Sequence, residues 1–244
     1  EAMIAHHDIL YRDLADPVAF LRGDTETELA NFWPYVFGGG AASDPRVAAT
    51  YSRLMADSQR LVAQDTLRAV SLQGRQRLLD IGGGSGVFAE AAVAATKGLS
   101  AVLFDLPAVA QAARSRLAAS PLGARIEVAE GSFRDDPLPA GADAISLVRV
   151  LYDHDDETVK PLLRKVRAAL PAGGLVVVSE PMSGGRRPDP AGDVYFAFYC
   201  LAMRTGTVRS PDRIRSLLTE AGFRQATGRT GYRPFVTSVV TARA

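Results

Sequence analysis

The sequence predicts an α/β protein in which helices flank a seven-stranded, Rossmann-like sheet whose last strand runs antiparallel. From residue 76 onward, short apolar runs alternate with amphipathic segments, which is the pattern of βα units around a parallel sheet. A glycine-rich turn follows the first of these runs. The last two runs are joined only by TGYRP, which is too short for a helical crossover, so the final strand must pair antiparallel.

The elements follow in order along the chain. Residues 1–70 have helical patterns interrupted by the loop FGGGAASDP, and Asp44 followed by Pro45 is typical of a helix start. We predict strands at 76–81, 100–105, 125–130, 143–149, 174–180, 223–229 and 235–242, with helices at 86–97, 107–119, 156–170, 191–204 and 210–221. The predicted organisation is therefore a helical region, 1–70, and a sheet-containing domain, 71–244.

Composition excludes several classes of protein. The net charge is +1 and no run of Lys or Arg exceeds two residues, so no basic surface for nucleic acid is predicted. The apolar runs are far shorter than the ~20 residues that cross a bilayer. Cys200 is the only cysteine, which excludes an internal disulfide framework and predicts a buried thiol in a cytoplasmic protein. Because the chain begins at Glu1 without methionine or a signal-peptide pattern, we expect a preceding segment.

The glycine turn predicts a nucleoside-containing cofactor. In LLDIGGGSGVFAEAA, Gly82 and Gly84 lie between a strand and a helix, where glycine lets the backbone approach a ligand. Asp105 ends the next strand, where a carboxylate can accept hydrogen bonds from ribose hydroxyls. The same stretch satisfies the dinucleotide pattern G-x-G-x-x-A, so a nicotinamide cofactor is an alternative.

Asp80 favours S-adenosylmethionine (SAM) over a dinucleotide. It lies two residues before the first glycine, where a carboxylate would repel a bound pyrophosphate but attract the cationic amino group of a methionine moiety. The antiparallel last strand is also typical of SAM-dependent methyltransferases. A glycine turn with no ligand is the simplest alternative.

The order and spacing of several motifs resemble those of class I O-methyltransferases related to caffeate and acetylserotonin methyltransferases. These motifs are LLDIGGGSG, FDLPAV, GSFRDDPLP, LVRVLYDHDDE, LPAGGLVVVSEPM and LLTEAGF. Upstream, ILYRDLADPVAFLRG and NFWPYVFGGGA, together with tyrosine at position 152, are most similar to the bacterial hydroxyneurosporene (demethylspheroidene) subfamily of carotenoid synthesis. The resemblance implies a seven-stranded SAM-methyltransferase sheet preceded by part of an N-terminal dimerisation domain.

The resemblance also implies a set of cofactor contacts. Gly82 and Gly84 would line the methionine part of SAM, Asp105 would hold the ribose, and Leu106 and the dipeptide Ser132-Phe133 would flank the adenine. The family usually has aspartate at the position of Ser132. Homodimerisation is implied by the family and not by the residues themselves.

The decapeptide VRVLYDHDDE contains a tyrosine, a histidine and four carboxylates, and it has three interpretations: a catalytic cluster, a metal site or a helix start. Asp155, Asp156 and Glu157 precede a helical pattern and complement a helix dipole, whereas a metal site would need Glu180 as an additional ligand. We predict a helix start and no metal. His154 is predicted to be a partly exposed loop residue.

Tyr152 occupies the position at which caffeate-type enzymes have the histidine that deprotonates a phenol. A tyrosine, with a reference pKa of about 10, is a poor base near neutral pH. We therefore expect Tyr152 to orient a weakly acidic alcohol and Glu180 to take the proton directly or through water. Val208 replaces a further family carboxylate, which argues against a phenolic acceptor. Arg149 has two interpretations, contact with the cofactor or pairing with Asp153.

The segment GDVYFAFYCLAMRTG predicts the wall of an acceptor pocket. Its aromatic residues recur at helical spacing, for which core packing is the simpler explanation. The family places its acceptor pocket on this helix, so we predict a pocket for a long apolar acceptor, closed by Trp33 and Phe37. Its lining residues are Trp33, Phe198, Tyr199 and Met203.

Three functions compete at this point. The first is an O-methyltransferase acting on a hydrophobic alcohol, most simply a hydroxylated carotenoid, with peripheral access to membrane pigments; a bacteriochlorophyll or aromatic polyketide acceptor is the variant. The second is a nicotinamide-dependent oxidoreductase. The third is a silent nucleoside-binding or dimerisation module.

Overall fold

The structure, a computed structural model, describes residues 2–32 and 45–244. A seven-stranded sheet is formed by β1 (Arg77–Ile81), β2 (Ser100–Asp105), β3 (Ile126–Glu130), β4 (Ala144–Val148), β5 (Leu175–Glu180), β6 (Arg224–Thr230) and β7 (Ser238–Arg243). The strand order is β3-β2-β1-β4-β5-β7-β6. The first five strands are parallel, and β7 pairs antiparallel with both β5 and β6, which confirms the predicted fold class.

The helices flank this sheet or precede it. They are α1 (Ala2–Asp13), α2 (Pro17–Arg22), α3 (Glu28–Phe32), α4 (Pro45–Ala69), α5 (Val87–Ala95), α6 (Pro107–Ala118), α7 (Asp156–Ala169), α8 (Ala197–Ala202) and α9 (Pro211–Glu220). The helix predicted at 191–204 is divided, because a π-helical segment, Pro190–Phe196, precedes α8. The predicted loop before α4 and the Asp44 cap lie outside the described residues.

Apolar side chains from both faces of the sheet form the core. Each parallel strand β1, β2, β4 and β5 is buried almost throughout, as expected where helices cover both faces. Helix α4 packs against α5 and reaches the sheet, where the Thr66 and Ser179 hydroxyls lie 2.5 Å apart. Asp65, whose side chain is fully buried, pairs with Arg233 at 2.8 Å. Helix α4 is thereby fixed against the sheet-containing part of the molecule.

The N-terminal helices pack against α8 through a separate apolar cluster. Its buried members are Leu10, Phe20, Leu29, Tyr199, Ala202 and Met203. The buried Asp13 carboxylate accepts hydrogen bonds from the backbone N–H groups of Glu28 and Leu29, at 2.7 and 3.1 Å, and so joins α1 to α3. The division into domains at residue 70 remains a prediction. Among the described residues, no helix combines the length and apolarity that a membrane crossing requires.

Parallel strands place their carboxyl ends at one edge of the sheet, and the sequence-predicted polar residues collect there. Asp80, Asp105, Arg149 and Glu180 each lie at or beside the end of a strand from β1, β2, β4 or β5. This edge is the usual ligand site of an open α/β sheet.

Candidate active site

The glycine turn after β1 depends on backbone geometry that only glycine adopts easily. Gly82 and Gly84 have φ of 64° and 56°, in the left-handed region. A Cβ at Gly82 would lie 2.9 Å from Cγ2 of Val150, so the turn also packs too closely for a side chain. The Gly82 N–H donates to the Phe104 carbonyl at 2.8 Å, which ties the turn to the end of β2. The turn is therefore a closely packed cradle in which Gly82 and Gly84 are partly exposed and Gly83 is buried.

Asp80 lies beneath this cradle and lacks one hydrogen-bond partner. Its side chain is 1% exposed, and Oδ1 accepts a hydrogen bond from the Ser146 hydroxyl at 2.6 Å. Oδ2 has no partner among the described residues and lies 2.8 Å from where a Cβ of Gly83 would be. Burial, together with the charge of Asp105, raises the pKa of Asp80 to about 7, although the hydrogen bond from Ser146 lowers it. A cation at this position would satisfy a carboxylate that the protein itself leaves unsatisfied.

Asp105 joins the glycine turn to the start of α6. Oδ2 accepts from the Gly84 N–H at 2.8 Å and Oδ1 accepts from the Leu106 N–H at 2.7 Å. Burial raises the pKa of Asp105 to about 6, although both backbone hydrogen bonds lower it. Each carboxylate oxygen has further lone pairs, so Asp105 can accept hydrogen bonds from two adjacent hydroxyls.

Ser132 and Phe133 follow β3, beside this edge. The Ser132 N–H donates to Asp136 at 2.7 Å and its hydroxyl donates to Asp135 at 2.9 Å, so this turn is held by its own carboxylates. Phe133 is half-buried against the core. The structure thus places this dipeptide next to Asp105, but Ser132 is already occupied by local hydrogen bonds.

Arg149 adopts a strained backbone conformation at the end of β4. Its φ is 59°, which is uncommon for a residue with a side chain and is typical of functional sites. The Arg149 N–H donates to the Ser179 carbonyl at 2.7 Å, while the guanidinium donates to the Ser58 hydroxyl at 2.8 Å and approaches the Tyr152 hydroxyl at 3.4 Å. Its buried Nε has no partner among the described residues. Arg149 also lowers the pKa of Asp153, which burial raises to about 7.

Tyr152 lies in a short 3₁₀ turn, Leu151–Asp153, directly after Arg149. Its side chain is 3% exposed, and its ring contacts Phe196 edge to face with centroids 6.2 Å apart. Burial raises the pKa of Tyr152 above its ordinary value, although the charge of Arg149 lowers it. The phenol therefore stays protonated at physiological pH and can orient a hydroxyl but not deprotonate one.

Glu180 lies at the end of β5, behind this turn. Oε2 accepts a hydrogen bond from the Tyr152 backbone N–H at 3.1 Å, and Oε1 has no partner among the described residues. The side chain is 0% exposed, and burial raises the pKa of Glu180 to about 8, whereas the charge of Arg209 lowers it. Glu180 thus supports the main chain that carries Tyr152.

Arg209, which the sequence did not single out, anchors the same turn from the opposite side. It is 2% exposed and donates to the carbonyls of Leu151 and His154, each at 2.8 Å. It also pairs with Asp156 at 2.8 Å. No sequence pattern around Arg209, which lies in an irregular segment before α9, indicates these contacts. Only the tertiary structure shows them.

The rest of the decapeptide is structural. Asp155 caps α7 by accepting from the Thr158 N–H at 2.9 Å, which confirms the helix-start interpretation. The expected exposure of His154 was wrong: its side chain is 8% exposed, packs on Phe133, and places Nδ1 3.1 Å from the Arg134 guanidinium. Burial and the charge of Arg134 lower the pKa of His154 to about 4. In residues 2–32 and 45–244, no three His, Cys, Asp or Glu side chains group closely enough to hold a metal ion.

The predicted acceptor wall contains both core and site residues. Tyr199 and Met203 are buried against the N-terminal helices, and Phe198 packs 6.1 Å from Phe20. From the π-helical segment, Phe196 contacts Tyr152 in the Leu151–Asp153 turn, and Tyr195 contacts Phe196. Cys200 is buried, as predicted, with Sγ 3.6 Å from the Tyr152 carbonyl. Trp33 and Phe37 lie outside the described residues.

Comparisons with known proteins agree with this geometry. The chain is 62% identical over 99% of its length to demethylspheroidene O-methyltransferase of Cereibacter sphaeroides, and 54% identical over 99% to that of Rhodobacter capsulatus. It spans 64% and 60% of the lengths of these two relatives. The solved structure of human N-acetylserotonin methyltransferase in complex with SAM has the same fold, with a TM-score of 0.81 at 24% identity, covering 99% of this chain and 69% of that one.

A family model described as an O-methyltransferase domain matches residues 11–224. The match extends from α1 into β6 and includes the glycine turn, the Leu151–Asp153 turn and the segment predicted to form the acceptor wall. The motif resemblance seen in the sequence is confirmed. The chain belongs to the O-methyltransferase domain family.

Proposed function

We propose that the protein transfers a methyl group from SAM to the hydroxyl of a hydroxylated carotenoid of the demethylspheroidene type. The observation that carries this proposal is the 62% identity, over 99% of the chain, to a demethylspheroidene O-methyltransferase. When bound, SAM supplies a methyl group on a positively charged sulfur, which is electrophilic enough that positioning the acceptor oxygen provides much of the acceleration.

The residues beneath the glycine turn fit a cationic cofactor. Asp80 and Asp105 are close enough for the charge of Asp105 to raise the pKa of Asp80, and one Asp80 oxygen has no partner among the described residues. A pyrophosphate would meet this negative charge, so the geometry disfavours the nicotinamide alternative. Asp80 would attract the amino group of SAM, and Asp105 would hold the ribose. Arg149, whose Nε has no partner among the described residues, would contact the cofactor.

Leu106 and the Ser132-Phe133 dipeptide support this assignment from the adenine side. The Leu106 N–H is already oriented by Asp105. Phe133 follows β3, whose last residue pairs with Asp105, and its half-buried ring packs against His154 and the core. An apolar surface of this kind suits the flat face of a purine.

Tyr152 is proposed to orient the acceptor hydroxyl, and Glu180 to position Tyr152 through its backbone N–H. Neither is available as a base near neutral pH, because burial raises the pKa of both groups, that of Glu180 to about 8, so that the phenol and the carboxyl keep their protons. A tertiary alcohol does not ionise beforehand, so its proton leaves during or after methyl transfer. A weak hydrogen-bond acceptor then suffices, which agrees with an alcohol acceptor in place of a phenol.

Assembly and location are part of the same proposal. We infer that the protein is a cytoplasmic homodimer. We also infer that it reaches membrane pigments from the membrane surface, because a carotenoid acceptor dissolves in the bilayer. The exposed apolar side chains of Tyr11, Val18 and Leu21 on the N-terminal helices support a partner contact there. Light scattering after size-exclusion chromatography measures the assembly, and a monomer at micromolar concentration would contradict the dimer.

Calorimetry and radiolabelled transfer test the proposed function. The protein should bind SAM and its demethylated product but not NADH, and it should transfer label from SAM to demethylspheroidene in detergent micelles. Asp80→Asn should weaken SAM binding about tenfold or more, because it removes a charge-assisted contact. Tyr152→Phe should slow transfer with little change in SAM affinity. Binding of NADH alone, or absence of transfer to any hydroxylated carotenoid, would overturn the proposal.

A further inference from the structure

A histidine from α1 is hydrogen-bonded to a tyrosine beside the proposed acceptor site. His7 Nε2 and the Tyr195 hydroxyl oxygen lie 2.5 Å apart, with ring centroids 5.3 Å apart and nearly perpendicular planes. The two residues are 188 positions apart in the chain, so the contact is a product of the tertiary fold. Both side chains are half-buried.

Tyr195 is linked through Phe196 to Tyr152 in the Leu151–Asp153 turn. Its ring contacts Phe196 edge to face at 4.8 Å, and Phe196 contacts Tyr152 at 6.2 Å. Burial raises the pKa of Tyr195 to about 12, although the charge of Arg149 lowers it. The phenol remains protonated and can donate to His7 while its oxygen accepts another hydrogen bond.

The π-helical segment that carries Tyr195 is firmly anchored. The Asp193 carboxylate accepts from the Ser183 hydroxyl at 2.5 Å and from the Gly184 and Asp189 N–H groups at 2.9 and 2.6 Å. The Asp189 side chain in turn caps the segment by accepting from the Gly192 N–H at 2.9 Å. Single π-helical turns of this kind are frequent at functional sites, where they redirect a side chain.

The other groups near the turn are poorly placed to receive a proton. Tyr152 faces the positive Arg149 guanidinium, and Glu180 accepts from the main chain behind the turn. Among histidines whose side chains the structure describes, His154 places Nδ1 against Arg134, whereas His7 places Nε2 against the Tyr195 hydroxyl.

We propose that Tyr195 and His7 form the proton-accepting pair for the acceptor hydroxyl, with Tyr195 touching the acceptor and His7 acting through Tyr195. This inference rests on the proposed function and deepens it. As the acceptor oxygen bonds to the methyl carbon, the electron pair of the broken carbon–sulfur bond stays on sulfur. The acceptor proton passes to the Tyr195 oxygen while the Tyr195 proton passes to His7 Nε2. His7, being half-buried, then releases this proton to water.

Conservative variants test the Tyr195–His7 pair without creating a cavity in the protein interior. Tyr195→Phe keeps the ring and removes the hydroxyl, and Tyr232→Phe is the matched control, because Tyr232 is 76% exposed on the β6–β7 loop. With labelled SAM and demethylspheroidene, Tyr195→Phe should lower kcat about a hundredfold, the lower end of what a positioned proton acceptor contributes. Calorimetry should show an unchanged Kd for SAM, and the control should match the wild type.

His7→Ala and His7→Gln separate proton transfer from packing. His7→Ala should lose activity similarly, and added imidazole should restore it. His7→Gln, which accepts a hydrogen bond but takes no proton, should remain slow. The inference would be overturned, with the proposed function intact, by a folded Tyr195→Phe variant that keeps the wild-type kcat. It would also be overturned if His7→Gln kept the wild-type kcat and imidazole did not rescue His7→Ala. A wild-type protein that binds SAM but transfers no methyl group would overturn the proposed function, and the pair with it.

Discussion

Replacing Glu180 by glutamine should change how stability depends on pH. Glu180 is 0% exposed, and one of its oxygens has no hydrogen-bond partner among the described residues. Burying an ionised carboxylate without full compensation costs free energy, so the folded protein holds the proton on Glu180. Glutamine has the same shape, keeps an oxygen that accepts the Tyr152 N–H, and never ionises.

The magnitude follows from the two pKa values. Burial raises the pKa of Glu180 from an ordinary value of 4.5 to about 8. Below 4.5 the carboxyl is protonated in both folded and unfolded chains, and Glu180 costs nothing. As pH rises the unfolded chain ionises first, so stability falls until the folded-state pKa is passed. At about 1.4 kcal/mol per pH unit, the wild type should lose about 4 kcal/mol from this residue between pH 5 and 8.5, to order of magnitude.

Urea denaturation without cofactor measures this loss. The midpoint difference between Glu180→Gln and the wild type should grow by roughly 1 to 2 M from pH 5 to 8.5, with the variant more stable at the higher pH. Asp80, whose charge does not act on Glu180, titrates in both proteins and cancels. Glu26→Gln, at an exposed position, is the control and should parallel the wild type. Parallel pH profiles for Glu180→Gln and the wild type would refute the assignment of a buried, proton-holding carboxyl.

Three further outcomes follow from the site. Asp105→Asn leaves one backbone N–H without its acceptor and should weaken SAM binding at least tenfold by calorimetry, whereas unchanged affinity would exclude a cofactor role. Arg209→Met should lower the free energy of unfolding in urea by about 3 kcal/mol, because it leaves the carbonyls of Leu151 and His154 without their buried donor, while Asp156 keeps only Arg213; a change below 1 kcal/mol would contradict this. Gly82→Ala should cost about 1 to 3 kcal/mol and reduce SAM affinity, since its Cβ would contact Val150 at 2.9 Å in a left-handed backbone; wild-type thermal melting and affinity would show that the turn relaxes freely.

Much of the fold was predictable because its signals are local. Apolar runs located all seven strands, and the short TGYRP connection fixed the antiparallel β7. Asp155 before α7 identified the helix start, because capping depends on neighbouring backbone N–H groups. The glycine turn and Asp80 were identifiable from their positions relative to β1. The π-helical segment was not predicted, since its aromatic residues also satisfy ordinary helical spacing.

The site was less predictable because its contacts join distant segments. His154 looked like an exposed loop residue, and only packing against Phe133 and Arg134 shows that it is buried and held at a low pKa. Tyr199 and Met203 were assigned to an acceptor wall, but the positions of the N-terminal helices decide that they pack into a core cluster.

The sequence by itself determined the sheet, the glycine turn, the acidic residues that end its strands and the family, because periodicity and turn chemistry are set by neighbouring residues. The tertiary structure alone decided that Arg209 donates to the turn that carries Tyr152, that an oxygen of Asp80 has no partner among the described residues, and that His7 contacts Tyr195 from the far end of the chain. These features depend on burial and on contacts between separate elements. Desolvation and unmet hydrogen bonds arise only once the chain has folded.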